Sequence, residues 1–146
     1  MHRLKAIRAG FQAHPLSGPL LVLSHVELVG AICGAQDVTG PQLAAKLTFS
    51  GFRDGSDIPR HMTAAVTDLS PELCSKLLLY VTGLSALPGR GKSIKITAVR
   101  STGLLPEAHT CFLRLDVCDD NADAAEVARR LHTAISSLAD AGFGLE

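Results

Sequence analysis

The chain of 146 residues has no tryptophan and a single tyrosine, and its five phenylalanines bring the aromatic share to only 4%. So few rings exclude a base-stacking platform for single-stranded nucleic acid. It has no surplus of either charge, since 14 Lys and Arg balance 14 Asp and Glu. Without a basic excess it is a poor polyanion binder, and nucleic acid drops out as a partner. Its four cysteines, Cys33, Cys74, Cys111 and Cys118, contain no CxxC pair and sit at unrelated spacings. That excludes a disulfide scaffold and points to a reducing compartment. No stretch approaches the ~20 apolar residues that a membrane-spanning helix needs. The longest candidate, Leu20 to Ala31, is interrupted by His25 and Glu27. Arg3, Lys5 and Arg8 ahead of it imitate a secretory signal, but Pro15, Gly18 and Pro19 intervene. One reading, a small secreted domain with disulfides, rests only on this signal-like N-terminus; four reactive thiols in a denatured sample would exclude it.

What is present is ordinary for a globular domain: 47% hydrophobic residues, 13 glycines and 7 prolines. A chain this long can bury roughly 68–70% of its unfolded surface, enough for one real core, so one domain or one domain plus a fragment is expected. Leu4, Ile7 and Phe11 fall at helical spacing and open the chain with a short helix. Ser24 caps a second helix whose face is Val26, Val29, Ala31 and Ile32, with Gly34 as its stop. A short helix is expected over 42–47, and 50–60, with two glycines, a proline and two aspartates, reads as a surface loop. The clearest helix starts at Ser70, where a capping hydroxyl, Pro71 and Glu72 precede the periodic Leu73, Leu77, Tyr80, Val81 and Leu84. Ile94, Ile96 and Ala98 alternate with polar residues as in a half-buried strand, and Cys111, Leu113 and Leu115 mark one face of a second. Asp123 and Glu126 make a D-x-x-E cap for a last helix lined by Ala124, Val127, Leu131, Ile135 and Leu138 and ended at Gly142.

Two near-motifs fail on context. Ala86-x-x-x-x-Gly91-Lys92-Ser93 approaches a phosphate-binding loop but lacks its first glycine. It also follows a helix and precedes a strand, the reverse of the order that aims a helix N-terminus at phosphate. His109, Cys111 and Cys118 fall short of the four convergent ligands of a zinc site, so no metal or other cofactor is expected. Cys111 matters differently. It lies where a polar, proline-containing segment enters an apolar strand, a place where a thiol can be reached and act as a nucleophile. Cys33, Cys74 and Cys118 read as packing residues.

The run Leu105-Pro106-Glu107-Ala108-His109-Thr110-Cys111-Phe112 resembles the L-P-x-A-H-T-C-F segment of HECT-type ubiquitin ligases over eight contiguous positions. Other pieces agree in order. Ser70-Pro71-Glu72, Leu78-Leu79-Tyr80-Val81-Thr82-Gly83 and Leu87-Pro88-Gly89 are similar to the approach to the family's C-terminal lobe. The ending Gly142-Phe143-Gly144-Leu145-Glu146 is similar to its terminus. Upstream, Ala9-Gly10-Phe11, Glu27-Leu28, Cys33-Gly34, Leu43 and Phe49 to Phe52 resemble the last part of its N-terminal lobe. The resemblance implies that Cys111 takes ubiquitin as a thioester from a conjugating enzyme and passes it to a substrate lysine. It further implies that His109 and Thr110 shape the loop around the thiol and that Phe143 assists delivery. An intracellular setting, cytoplasm or nucleus, follows from the same resemblance.

It also implies an α/β (α+β) fold: a small mixed-sheet C-terminal lobe over 67–146, after a mostly helical N-lobe remnant over 1–66. The subdomain that recruits the conjugating enzyme would lie in the part of the N-lobe that is not matched. Three departures stand out: Leu113 where the family has Asn, Ala86 where it has Arg, and His61-Met62 in place of an aromatic pair. With the unmatched lobe, they leave a rival reading, a non-catalytic fragment that binds ubiquitin or a partner. Arg90, Lys92, Lys95 and Arg100 cluster without acids, while 116–126 holds five acids and no base; such stretches are ordinarily solvated faces.

Overall fold

The computed structural model describes residues 2–14, 18, 22–24, 27, 38–89, 91–100 and 105–140. It divides into two compact units, Met1–Gly34 and Ala35–Glu146. In the first, helix α1 (His2–Ala13) forms as its periodicity predicts, with Leu4 and Ile7 exposed. Ser24 and Glu27 make the reciprocal capping pair, Ser24 N–H to Glu27 Oε2 at 2.8 Å and Glu27 N–H to Ser24 Oγ at 3.2 Å. The expected apolar face from Val26 to Ile32, Cys33 and the stop at Gly34 lie outside the described residues.

The second unit is built around a mixed four-stranded sheet in the order β1-β2-β4-β3. Its elements are α2 (Gly40–Ala44), β1 (Leu47–Ser50), α3 (Ile58–Thr67), α4 (Pro71–Thr82), β2 (Ile94–Val99), β3 (Glu107–His109), β4 (Arg114–Cys118) and α5 (Ala124–Asp140). β1, β2 and β4 are parallel neighbours, and β3 closes the edge antiparallel to β4. A parallel pair needs a crossover, which α3 and α4 supply between β1 and β2. This is an α/β fold. No helix among the described residues is long and apolar enough to cross a membrane.

Local chemistry explains most elements. Ser70 Oγ accepts from Leu73 N–H, Pro71 fills the first turn of α4, and Gly83 ends it with φ 73°. Asp123 Oδ1 accepts from Glu126 N–H at 2.8 Å to cap α5. The core unites α2, α3, α4 and α5 with one face of the sheet through Leu43, Ile58, Met62, Leu78, Ile96, Leu115, Leu131 and Ile135. Each fully buried aliphatic side chain of this kind contributes about 1.5–3 kcal/mol relative to exposure.

Several expectations change. The short helix begins at Gly40 rather than Gln42, and Leu47 starts β1 instead of ending a helix. Here Gln42 Oε1 accepts from Thr39 N–H at 3.0 Å and Pro41 fits the first turn. Gly40 is obligatory, because a Cβ there would collide with the Thr67 carbonyl. The surface loop stops at Asp57. Pro59, read as a loop signal, sits instead in the first turn of α3, whose Ile58, Met62 and Val66 at i, i+4 and i+8 are buried. Leu84 falls beyond the Gly83 stop and is 65% exposed. Val38, Leu43, Ile58, Met62 and Val66 share one core with buried residues from Leu69 to Ile135.

The acids of 116–126 are not a solvated face either. Asp119 accepts from Arg53 N–H, Arg53 Nε and Ser56 Oγ at 2.8, 3.0 and 2.6 Å, with its side chain 4% exposed. Arg130 bridges Asp120 and Glu126 at 2.7 Å each. Both arginines arrive from outside the acidic stretch in sequence.

Candidate active site

Cys111 is exposed and carries a thiol, as do the buried Cys74 and Cys118. Burial raises the Cys74 thiol above its ordinary pKa, consistent with an inert packing role. Cys111 does not sit in a strand. β3 ends at His109, Thr110–Phe112 form one 3-10 turn, and β4 begins only at Arg114. The expected strand face of Cys111, Leu113 and Leu115 is therefore wrong in its first two members, and Leu115, Val117 and Cys118 are the buried residues of β4. The turn closes through Leu113 N–H to Thr110 C=O at 3.2 Å, while Leu113 C=O accepts from Lys95 N–H at 2.8 Å.

Those bonds hold Leu113 at φ 50°, ψ 45°, the only left-handed non-glycine among the described residues. An L-residue with a bulky side chain is strained there by about 1–2 kcal/mol, whereas Asn visits that region readily. An Asn at this position would thus have a conformational rationale that Leu113 lacks.

Behind the turn, Tyr80 from α4 donates its hydroxyl to Pro106 C=O at 2.7 Å, anchoring the segment that leads into β3. Burial pushes the Tyr80 phenol above its ordinary pKa. Phe112, by contrast, is 70% exposed beside Cys111. The open face of the sheet brings three side chains together. His109 Nε2 lies 3.1 Å from Asp116 Oδ2, and Arg114 Nη2 donates to the same oxygen at 3.2 Å. Arg114 Nε approaches Asp116 Oδ1 to 2.9 Å, but off line, so neither atom gains a hydrogen bond.

Thus His109, Thr110 and Cys111 occupy one short edge, and Phe143 lies outside the described residues. Sequence reading missed Asp116, Arg114 and Tyr80. Strand alternation carried the signal for the first two, since 114 and 116 share a face once β4 is placed correctly. Among the described residues no group of three His, Cys, Asp or Glu could hold a metal ion. The open clefts at the far end of β4 are lined by residues such as Arg53, Asp54, His61 and Asp120, or Gly51, Ala98 and Arg100, and do not include Cys111. The thiol is thus exposed on a turn and not enclosed in either cleft.

The HECT-domain (ubiquitin-transferase) family model matches residues 1–146. The chain belongs to the HECT family. It is 35% identical over 122 residues to the bifunctional serine/threonine-protein kinase/NEDD4-like E3 ubiquitin-protein ligase of Dictyostelium discoideum, covering 82% of this chain and 6% of that protein. It is 34% identical over 136 residues to the mouse (Mus musculus) apoptosis-resistant E3 ubiquitin protein ligase 1, covering 86% of this chain and 16% of that protein. It is 29% identical over 145 residues to the mouse probable E3 ubiquitin-protein ligase HECTD2, covering 97% and 18%. The HECT chain therefore spans less than a fifth of the length of these curated relatives.

Proposed function

We propose that the chain is the cysteine-bearing part of an E3 ubiquitin transferase, and that Cys111 carries ubiquitin as a thioester between a conjugating enzyme and a substrate lysine. The carrying observation is the exposed thiol of Cys111 on a 3-10 turn at a sheet edge, inside the Leu105–Phe112 motif of a HECT-family chain. The Cys111 thiolate attacks the carbonyl carbon of the incoming thioester, and the bond to the donor sulfur breaks. A lysine amine then attacks the new thioester, forms the isopeptide bond and releases the thiolate. His109 and Thr110 frame the turn, and Phe143 assists delivery. The cysteine-bearing lobe is taken as Ala35–Glu146 rather than 67–146, because residues 38–66 build its core. A reduced thiol of this kind fits the cytoplasm or nucleus.

The test supplies ubiquitin as a C-terminal thioester of a small thiol, so that no conjugating enzyme is required. Intact mass should show one reductant-sensitive ubiquitin adduct on the wild-type chain and none on Cys111→Ala. An accessible Cys111, alkylated by a small reagent yet never loaded with ubiquitin, would overturn the reading in favour of a binding fragment. That rival rests on the unmatched part of the N-lobe and on Ala86 and Leu113, the last of which stands at a strained position.

A further inference from the structure

Asp116 sits opposite Glu107 in the β3–β4 register, and His109 sits opposite Arg114. The carboxylate therefore meets the imidazole diagonally across two strands, on the sheet face not covered by the core. A carboxylate can only accept, so the 3.1 Å contact requires the proton of His109 on Nε2 and leaves Nδ1 as the lone-pair nitrogen in the neutral ring. Among the described residues this is the one hydrogen bond the His109 side chain makes. The carboxylate is in turn fixed by Arg114 at 3.2 Å and is 15% exposed. β3 ends at His109 and runs directly into the turn that presents Cys111.

We infer that Asp116 is a positioning residue for transfer at Cys111: it holds the His109 imidazole in the Nε2–H tautomer and against the sheet, with Arg114 holding Asp116. The inference rests on the transfer reading above and adds a residue that the motif around the cysteine does not contain. The logic is that of a base oriented by a third group, where the orienting carboxylate never touches the reacting atoms. A free His109 ring would sample both tautomers and several rotamers, and only part of the population would keep Nδ1 as the acceptor for the proton an attacking amine must lose.

Two measurements on the full chain separate this inference from the reading it rests on. Imidazole 15N shifts, assigned to His109 with a His109→Gln variant, should show a protonated Nε2 and an unprotonated Nδ1 in the neutral wild-type ring. Asp116→Ala should give shifts averaged between tautomers, and Asp116→Asn, whose amide can donate as well as accept, should no longer hold the ring in the Nε2–H form alone. An Nδ1–H tautomer in the wild type, or no change in Asp116→Ala, overturns the inference whether or not ubiquitin loads. The second measurement follows discharge of the Cys111 thioester onto free lysine. Asp116→Ala should slow discharge about tenfold, a fraction of what a positioned acid–base group contributes. Asp116→Asn should also be slower than the wild type, and Asp116→Ala should add nothing in a His109→Gln background. Additive losses in that cycle would show a merely structural role for Asp116 and defeat the inference. Absence of any wild-type adduct defeats the transfer reading alone, since the tautomer measurement still decides the geometry.

Discussion

The two turns that bracket β4 use the same short strand in opposite ways. The turn before it, Thr110–Phe112, exposes Cys111 and Phe112 and leaves Leu113 in a left-handed conformation. The turn after it buries Asp119 and saturates its carboxylate with Arg53 N–H, Arg53 Nε and Ser56 Oγ. β4 itself, with Leu115 and Val117 in the core, is the rigid spacer between them. One end therefore stores strain and offers chemistry, and the other spends polar groups on closure. Functional positions are commonly strained because the surrounding structure over-determines them. In this protein the bonds of Leu113 to Thr110 and Lys95 and the buried face of β4 supply that determination.

Breaking the clamp should have the largest effect on stability. Asp119→Ala removes three hydrogen bonds to one carboxylate and orphans the Arg53 amide, so a loss of about 3 kcal/mol is expected in denaturant unfolding. Arg53 is largely exposed, so its ion pair adds little to that figure, and most of it comes from Ser56 and the backbone donor. A loss below the ordinary surface range would erase the contrast between the two ends.

The same clamp sets a pH dependence. The Ser56 hydroxyl, then the Arg53 backbone and guanidinium, hold the Asp119 carboxyl below its ordinary value. The unfolded chain thus binds a proton at higher pH than the folded one. The stabilisation is fully present above the unfolded carboxylate range and declines as pH falls through it towards the folded value. Thermal melts of the wild type should therefore fall in midpoint below about pH 4. Asp119→Asn should flatten part of that slope, and an unchanged slope would assign the acid sensitivity elsewhere.

At the other end the expected effects are smaller and of opposite sign. Leu113→Asn should relieve the left-handed strain at the cost of some half-buried apolar surface, for a net gain of about 0.5 kcal/mol. A rise in the denaturant midpoint at unchanged m-value is the expected signature. Cys111→Ala should change stability by less than about 0.5 kcal/mol while abolishing the thioester adduct, because the side chain is exposed. A fold-breaking Cys111→Ala would make the two turns alike.

The comparison also shows where local pattern stops being informative. Ser70, Pro71 and Gly83 announced α4 because caps and stops act through the backbone of their own turn. α3 was hidden by Pro59, which starts a helix as readily as it ends one, and the choice depended on burying Ile58, Met62 and Val66 under α5. β3 was hidden because three residues show no usable alternation, and an edge strand this short exists only by pairing with β4. The acidic stretch looked solvated because Arg53 lies some sixty residues away in the chain.

By itself the sequence determined the motif around Cys111, the family and the helices that carry their own caps. These are encoded in neighbouring residues, where covalent order and hydrogen bonds within a single turn suffice. The tertiary structure alone decided that the core begins near Val38, that Leu113 is left-handed, and that Asp116 and Asp119 have partners. Each of those depends on strands or loops brought together over long sequence separations. Their energy is realised only when the sheet closes and its buried face excludes water.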